Sequence, residues 1–262
     1  MCLPGAQFFV GCGWLAVLWT DNPVACYNRN LLPGMAVNIL REHRHANQDI
    51  QKEQHVKITV SGISEGQPIP ESFAFGVFSA EDHMSFGPNR NPEVSWEDAP
   101  AGTKSFAVVM FDPDVPSVAD DVNQEGKTVS KDLPRVDFFH WLLVDIPASV
   151  SRIPEGEDSD GVLPKGKPAG PGPIGVRGIN TYTQFLAGNP DMAGTYAGYD
   201  GPCPPWNDEI LHHYHFEVYA LDVETLGLSG EFDGEAVRDA MAGHVLAQAR
   251  VTGTYTLNPD LR

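Results

Sequence analysis

The chain has 262 residues, long enough to bury a sizeable core in one large domain or two small ones. Hydrophobic residues make 42% and charged ones 20%, which excludes wholesale disorder and a coiled coil, and 26 Gly with 22 Pro argue for a β-rich protein with long loops rather than a helical bundle. The 17 Lys and Arg face 35 Asp and Glu, a net charge of −18, so nucleic acid and anionic membrane surfaces are excluded as main partners, whereas a small anion in a pocket with its own local field is not.

The chain opens on an apolar run, Ala6 to Trp19, too short to span a bilayer, so no integral membrane insertion is expected. No Lys or Arg precedes it, the first basic residue being Arg29, so a signal peptide would lack its basic start. Phe9-Val-Gly-Cys12 faintly resembles a lipoprotein cleavage site but shares that lack. Residues 1–54 are read as an N-terminal extension, disordered or carrying a mis-assigned start, with Met35 as an internal start before the polar stretch Arg41 to Gln54. The four cysteines, Cys2, Cys12, Cys26 and Cys203, build neither a disulfide framework nor a CxxC metal knuckle. A reducing compartment is favoured, hence a cytoplasmic location, with periplasmic or lipoprotein export the lesser alternative.

Periodic signals start at His55, and a single domain over 55–262 is expected. Val56, Ile58 and Val60 alternate with polar residues as in a half-buried strand, and Phe73 to Phe78 is a second apolar run. Ser105 to Phe111 reads as a buried strand ending at Asp112, and Val136 to Ile146 as another closed by Pro147. Leu211 to Leu221 alternates as a long strand, and Arg250 to Leu257 reads as the last. One helix is convincing, Glu235 to Arg250, capped by Asp233 or Gly234, with Val237, Met241 and Val245 on one face. Ser117 to Arg135 and Arg152 to Pro205 read as long irregular segments. Together these elements predict a mainly β protein, an antiparallel two-sheet sandwich with peripheral helices.

Three motif matches fail on their physics. Gly62-Ile-Ser64-Glu-Gly66 fits a hydrolase nucleophile elbow, but Pro68 and Pro70 disfavour the helix that an elbow needs. Gly170-Pro-Gly172-Pro-Ile-Gly175 fits a dinucleotide fingerprint without its strand and helix. In His212-His213-Tyr214-His215, alternation puts His213, His215 and Glu217 on a polar, solvated face and His212, Tyr214, Phe216 and Val218 toward the core. Three ligands at spacing two span about 13 Å, too far for one ion. No metal and no cofactor is expected.

Other residues form a constellation. Asp112-Pro-Asp114-Val-Pro116 closes a strand with two carboxylates held by proline-stiffened backbone. His140 stands in the apolar strand Phe138-Phe-His-Trp141 and needs a polar partner, as a core histidine or as a site residue. Gly201-Pro202-Cys203-Pro204-Pro205 is a rigid turn leading to His212 and Tyr214 on one face. With Val218-Tyr-Ala-Leu-Asp222 and the segment His244 to Tyr255, these motifs resemble the phosphatidylethanolamine-binding proteins, or Raf-kinase-inhibitor-like proteins, in their bacterial form, over residues 55–258.

The resemblance implies a β-sandwich with a pocket for phosphate-like anions and phospholipid headgroups. It implies that Asp112, Asp114, His140, the turn Gly201, Pro202, Pro204 and Pro205, His212 and Tyr214 line or support that pocket. His140, His212, the Tyr214 hydroxyl and amides of the Gly201 turn could each donate to phosphate. Asp112 and Asp114 would orient the imidazoles and favour their charged forms, so anion binding would strengthen as pH falls through the histidine range. The family commonly has His-Arg-Tyr where this chain has His212-His213-Tyr214, and a Gly-rich segment where it has Trp206-Asn-Asp-Glu209. Two acidic groups near the mouth are expected to weaken anion attraction, and Trp206 to narrow the entrance. The leading expectation is non-enzymatic binding of a small anionic ligand, coupled in some family members to modulation of a partner kinase or protease. The alternative is a hydrolase using His140 or His212 with Asp112 as base and orienter; Cys203 is the only candidate thiol, and its flanking prolines favour a structural role. A third reading is a scaffold acting through its acidic loops.

Overall fold

The computed structural model describes the strands Ala6–Gly11, Trp14–Trp19 and Asn22–Asn28 and all of residues 56–262. The chain divides into two compact units, Met1–Glu53 and Gln54–Arg262. In the first, β1 (Ala6–Gly11), β2 (Trp14–Trp19) and β3 (Asn22–Asn28) pair antiparallel in the order β1-β2-β3. Met35 and the polar stretch after it lie outside the described residues.

The second unit contains β4 (Lys57–Val60), β5 (Gln67–Pro68), β6 (Gly76–Ser79), β7 (His83–Phe86), β8 (Val94–Glu97), β9 (Ser105–Pro116), β10 (Arg135–Pro147), β11 (Arg152–Ile153), β12 (Gly170–Pro171), β13 (Val176–Arg177), β14 (His212–Leu221) and β15 (Val245–Tyr255). Its helices are α1 (Tyr182–Phe185) and α2 (Gly234–Met241). A seven-stranded sheet runs β12-β13-β10-β9-β14-β15-β5, antiparallel except for the short β5, and a three-stranded sheet runs β11-β8-β4.

The unbroken apolar run of β9 reflects cover on both faces. Phe106, Val108 and Met110 pack with Trp141, Phe216 and Val218 against Val60, Val94, Trp96 and Ile153 of the small sheet. Ala107, Val109 and Phe111 point the other way and pack with Leu142 and Val144 against Val237 and Met241 of α2. The protein is thus mainly β, a two-sheet sandwich with a helix on its outer face. Asp233 caps the start of α2, its Oδ1 accepting from the Ala236 amide at 3.0 Å.

Four sequence expectations are corrected. The helix expected to reach Arg250 ends at Met241, where Gly243 takes a φ of +82° and the chain turns back as β15. Pairing with β14 from His212↔Tyr255 to Leu221↔Val245 overrides the helical periodicity. Asp112 to Pro116, expected to close the strand, continues it: β9 runs through this segment, paired with the start of β10. Pairing with β14 stops at Phe111↔His215, so Pro113 and Pro116 lie where that side of β9 is an open edge and needs no amide donors. Glu217, expected on a solvated face, is buried, ion-paired with Arg250 and receiving the Tyr219 hydroxyl. The irregular segment 152–205 carries three short strands and α1.

Two of the rejected motifs lie in turns. Residues 62–66 form a turn between β4 and β5. Gly170 to Gly175 opens the β12–β13 hairpin, with the Gly172 amide on the Gly175 carbonyl at 2.7 Å. No cluster of three metal-ligating side chains occurs among the described residues.

Candidate functional site

A cavity of about 340 Å³ opens where β9, β10 and β14 end. Its floor is Asp112, His140 and Tyr214; Cys203, Pro204 and Pro205 form one wall, Ala119, Val122 and Asn123 another, and α1 adds Tyr182 and Phe185. Of the expected site residues, the structure brings Asp112, His140, Pro204, Pro205 and Tyr214 together at the cavity surface; Asp114, Gly201, Pro202 and His212 stand behind it.

His140 sits at a register shift in β10, between Phe139 and Trp141, which turns its ring out of the strand's regular alternation. It is 3% exposed. Its Nδ1 lies 2.8 Å from the Asp200 carbonyl, an acceptor, so Nδ1 carries the proton. Nε2 has no hydrogen-bond partner among the described residues, and the ring faces the cavity between Phe138, Tyr182 and Tyr214. Burial drives its pKa down to about 4, against the pull of Asp112. The ring is therefore neutral at physiological pH, and Nε2 is an acceptor.

His212 has the opposite setting. It is 0% exposed, with Nδ1 2.7 Å from Asp112 Oδ2 and Nε2 3.2 Å from Asp208 Oδ2. Two carboxylates need two N–H donors, so the ring is an imidazolium. Burial alone would lower its pKa; the charges and hydrogen bonds of Asp112 and Asp208 prevail and raise it to about 9. Both nitrogens are engaged, so His212 cannot donate to a ligand as the sequence suggested.

The remaining expected residues are scaffold. Asp114 Oδ2 accepts from the backbone amide and Nδ1 of His213, at 2.9 and 2.8 Å. The Gly201 amide, expected as a ligand donor, is taken by Asn89 Oδ1 at 2.8 Å, and its carbonyl by the Tyr182 hydroxyl at 2.9 Å. A Cβ on Gly201 would drive into the Phe73 carbonyl, so only glycine fits. The Pro202 carbonyl accepts from the amides of Phe75 and Gly76. Burial pushes the Cys203 thiol up to about 12, so it is no nucleophile. The Tyr214 hydroxyl is held protonated by burial first and by the charge of Asp112 second, with a hydrogen bond to Asp112 adding to it, so a ligand would share this donor with that carboxylate.

The segment Trp206 to Glu209 does not act on the mouth as expected. Trp206 stacks on His83 at 3.9 Å, away from the cavity lining. Asp208 is buried in a two-point ion pair with Arg135, at 2.6 and 3.1 Å. Glu209 accepts from the Lys131 amide. Asn207 holds the wall loop: its Nδ2 donates to the carbonyls of Asp121 and Lys127 at 2.9 and 3.0 Å, and its Oδ1 accepts from the Asn123 amide.

Several contributors were invisible in the sequence. Asp200, whose carbonyl orients His140, is itself held by Asn89, Asn180 and Lys167, at 2.8, 2.8 and 3.0 Å. These residues are scattered over more than a hundred positions and share no motif. Asp208 had one usable signal, its place four residues before His212. The apolar rim, with Val136 47% and Phe185 56% exposed, carried no signal at all.

Chemically, the cavity floor offers one ring acceptor, one carboxylate and one hydroxyl under an apolar rim; Asp137 also lines the cavity, ion-paired with Arg238 at 2.6 Å, and no Lys or Arg lines it among the described residues. The base-and-orienter pair expected for a hydrolase is not assembled: His140 bonds a carbonyl rather than Asp112, and His212 has no free nitrogen.

Residues 59–256 match the family described as phosphatidylethanolamine-binding protein. The chain is 30% identical over 203 residues to the UPF0098 protein YbcL of Escherichia coli, covering 77% of this chain and 87% of that protein. It is 32% identical over 198 residues to a UPF0098 protein of Aquifex aeolicus, covering 74% and 92%. Among solved structures it is similar to that of Escherichia coli YbcL, described as a new member of the mammalian PEBP family, with a TM-score of 0.54 at 28% identity over 77% of this chain and 98% of that one. A putative phosphatidylethanolamine-binding homologue from Chlamydia trachomatis gives 0.51 at 26% identity. The chain belongs to the phosphatidylethanolamine-binding protein family.

Proposed function

We propose that the cavity binds a small phosphate-bearing ligand without turning it over, and that it accepts the phosphoryl group with a single negative charge. The observation that carries this reading is the convergence of His140 Nε2, the Asp112 carboxylate and the Tyr214 hydroxyl under an apolar rim. Two of these three groups are acceptors. A singly protonated monoester matches them: its P–OH donates to Nε2 and its oxygens accept from Tyr214; a diester has no P–OH, and there the ethanolamine ammonium would supply the donor to Nε2. An ethanolamine ammonium would meet Asp112, and an acyl chain would lie along Val136 and Phe185. A dianion would face a carboxylate with no lining cation to offset it.

This changes the expected pH dependence and its cause. His140 titrates near 4 and His212 near 9, so neither ring changes charge between pH 5 and 8. The ligand does: a phosphate monoester loses its second proton near pH 6, whereas a diester keeps one charge throughout. Calorimetric titration with O-phosphoethanolamine and with short-chain phosphatidylethanolamine at pH 5, 6.5 and 8 tests this. The monoester is expected to weaken on the order of a hundredfold over that range, following the loss of its second proton near pH 6, and the diester to hold its affinity, with both lost in His140→Ala and Asp112→Ala. No heat from folded protein with either ligand would refute the reading.

A further inference from the structure

Behind the cavity floor lies a row of alternating charges: Asp112, His212, Asp208 and Arg135. Asp112 and His212 are in contact at 2.7 Å, His212 and Asp208 at 3.2 Å, Asp208 and Arg135 at 2.6 Å. The first three side chains are at most 1% exposed and the last is 13% exposed. Only Asp112 reaches the cavity.

We propose that Asp208 is a positioning residue for the binding site: it fixes His212 as an imidazolium, and the imidazolium holds the Asp112 carboxylate in place at the cavity floor. The inference rests on the binding reading above for its functional consequence, but its first step is independent of any ligand. The geometry is directional. Asp112 has its Oδ1 on the Asp114 amide at 2.8 Å and its Oδ2 on His212 Nδ1, so the ring supplies one of two anchors. A neutral ring would keep one proton and turn a lone pair toward one of the two carboxylates, repelling it. Asp208 removes that option by demanding a proton on Nε2.

Asp208 is fixed from the far side. Arg135 Nη1 contacts the same Oδ2 that receives His212 Nε2, while Nη2 contacts Oδ1. Arg135 is tied to the Asp114 and Ser130 carbonyls at 2.8 and 2.9 Å. The charged and titratable groups around His212 are thus Asp112 from β9, Asp208 and, through it, Arg135 from β10, His140 from β10, Tyr214 on its own strand and Tyr255 opposite it on β15.

The two partners of the row make opposite predictions. Asp208→Asn removes a charge that favours the imidazolium, so the deprotonation midpoint of His212 moves down into the ordinary histidine range. Arg135→Gln removes a competitor for Asp208 Oδ2, so the midpoint moves up. General damage to the fold would not send the two variants in opposite directions. The experiment is a pH titration of the His212 ring nitrogens by NMR in the parent, Asp208→Asn and Arg135→Gln, with short-chain phosphatidylethanolamine titrated into each at pH 6 and 8.

In the parent, His212 stays doubly protonated at both pH values and affinity is flat. In Asp208→Asn, affinity is expected to fall about tenfold from pH 6 to 8, tracking the ring. An unmoved His212 midpoint in folded Asp208→Asn overturns the inference, as does a moved midpoint with affinity still flat. If Asp208→Asn does not fold, Arg135→Gln decides, and a midpoint that stays or falls overturns it. If the parent binds no ligand, the binding reading fails while the ring titration still tests the link from Asp208 to His212.

Discussion

His140 and His212 stand on the two strands that flank β9, both almost wholly buried, and they hold opposite charge states. One is given neutral backbone carbonyls and a ring of aromatic neighbours, the other two carboxylates. Burial is the largest influence on both and disfavours charge on both. What separates them is the number of anions within hydrogen-bond reach. A histidine in an apolar strand therefore reports nothing about its charge until its partners are known.

The comparison can be broken most severely on the His140 side. Lys167 is the cation that offsets buried Asp200, whose carbonyl orients His140. Lys167→Met is expected to cost about 3–5 kcal/mol, because it strands a buried carboxylate. Urea denaturation measures this, and a loss below about 1 kcal/mol would show that the network does not depend on that charge.

Stability against pH sharpens the comparison next. The folded pKa of His140 lies below its free value of 6.5, so its contribution is complete above pH 6.5 and lost as pH falls toward 4. The folded pKa of His212 lies above 6.5, so its contribution is complete below pH 6.5 and lost as pH rises through 9. Each limb is worth about 3 kcal/mol. Denaturation midpoints from pH 4 to 10 should peak near 6.5, and His212→Gln should flatten the alkaline limb alone. A profile that is level on both sides would contradict these assignments.

The smallest effect concerns the cavity wall. Asn207→Ala removes the donors that gather the 117–126 loop and should cost about 1–3 kcal/mol locally. Hydrogen exchange at the amides of 119–126 should quicken while that of β9 holds. Equal quickening in both would mean that Asn207 supports the whole sheet.

Much of this was legible in the sequence, because strand periodicity and proline placement are local signals. The run Ser105 to Phe111 and the strand of β14 read directly as structure, and the helix start was narrowed to a cap at Asp233 or Gly234, of which the structure uses Asp233. The ordered motifs gave the family and the cavity floor of Asp112, His140 and Tyr214. The end of α2 was not legible, since Val245 fits a helical face as well as a strand until β14 is there to pair with it. Nor was the spatial partner of each polar group. His212 was expected to face a ligand, and the residue that closes its second nitrogen, Asp208, was read as a mouth charge. Gly201 was expected to offer its amide, which Asn89 takes from 112 positions away. Long-range hydrogen bonds of this kind leave no spacing to find.

The double cover of β9 divides the molecule by how freely it can be altered. Each residue from Phe106 to Phe111 answers to one of two cores, so almost any exchange there disturbs packing on one face. The segments 117–126 and 207–209 belong to neither core, and they build the cavity wall and hold it in place. Ligand preference can therefore drift through those two loops while the strands beneath keep their sequence. For anyone redesigning the pocket, they are the place to build a library.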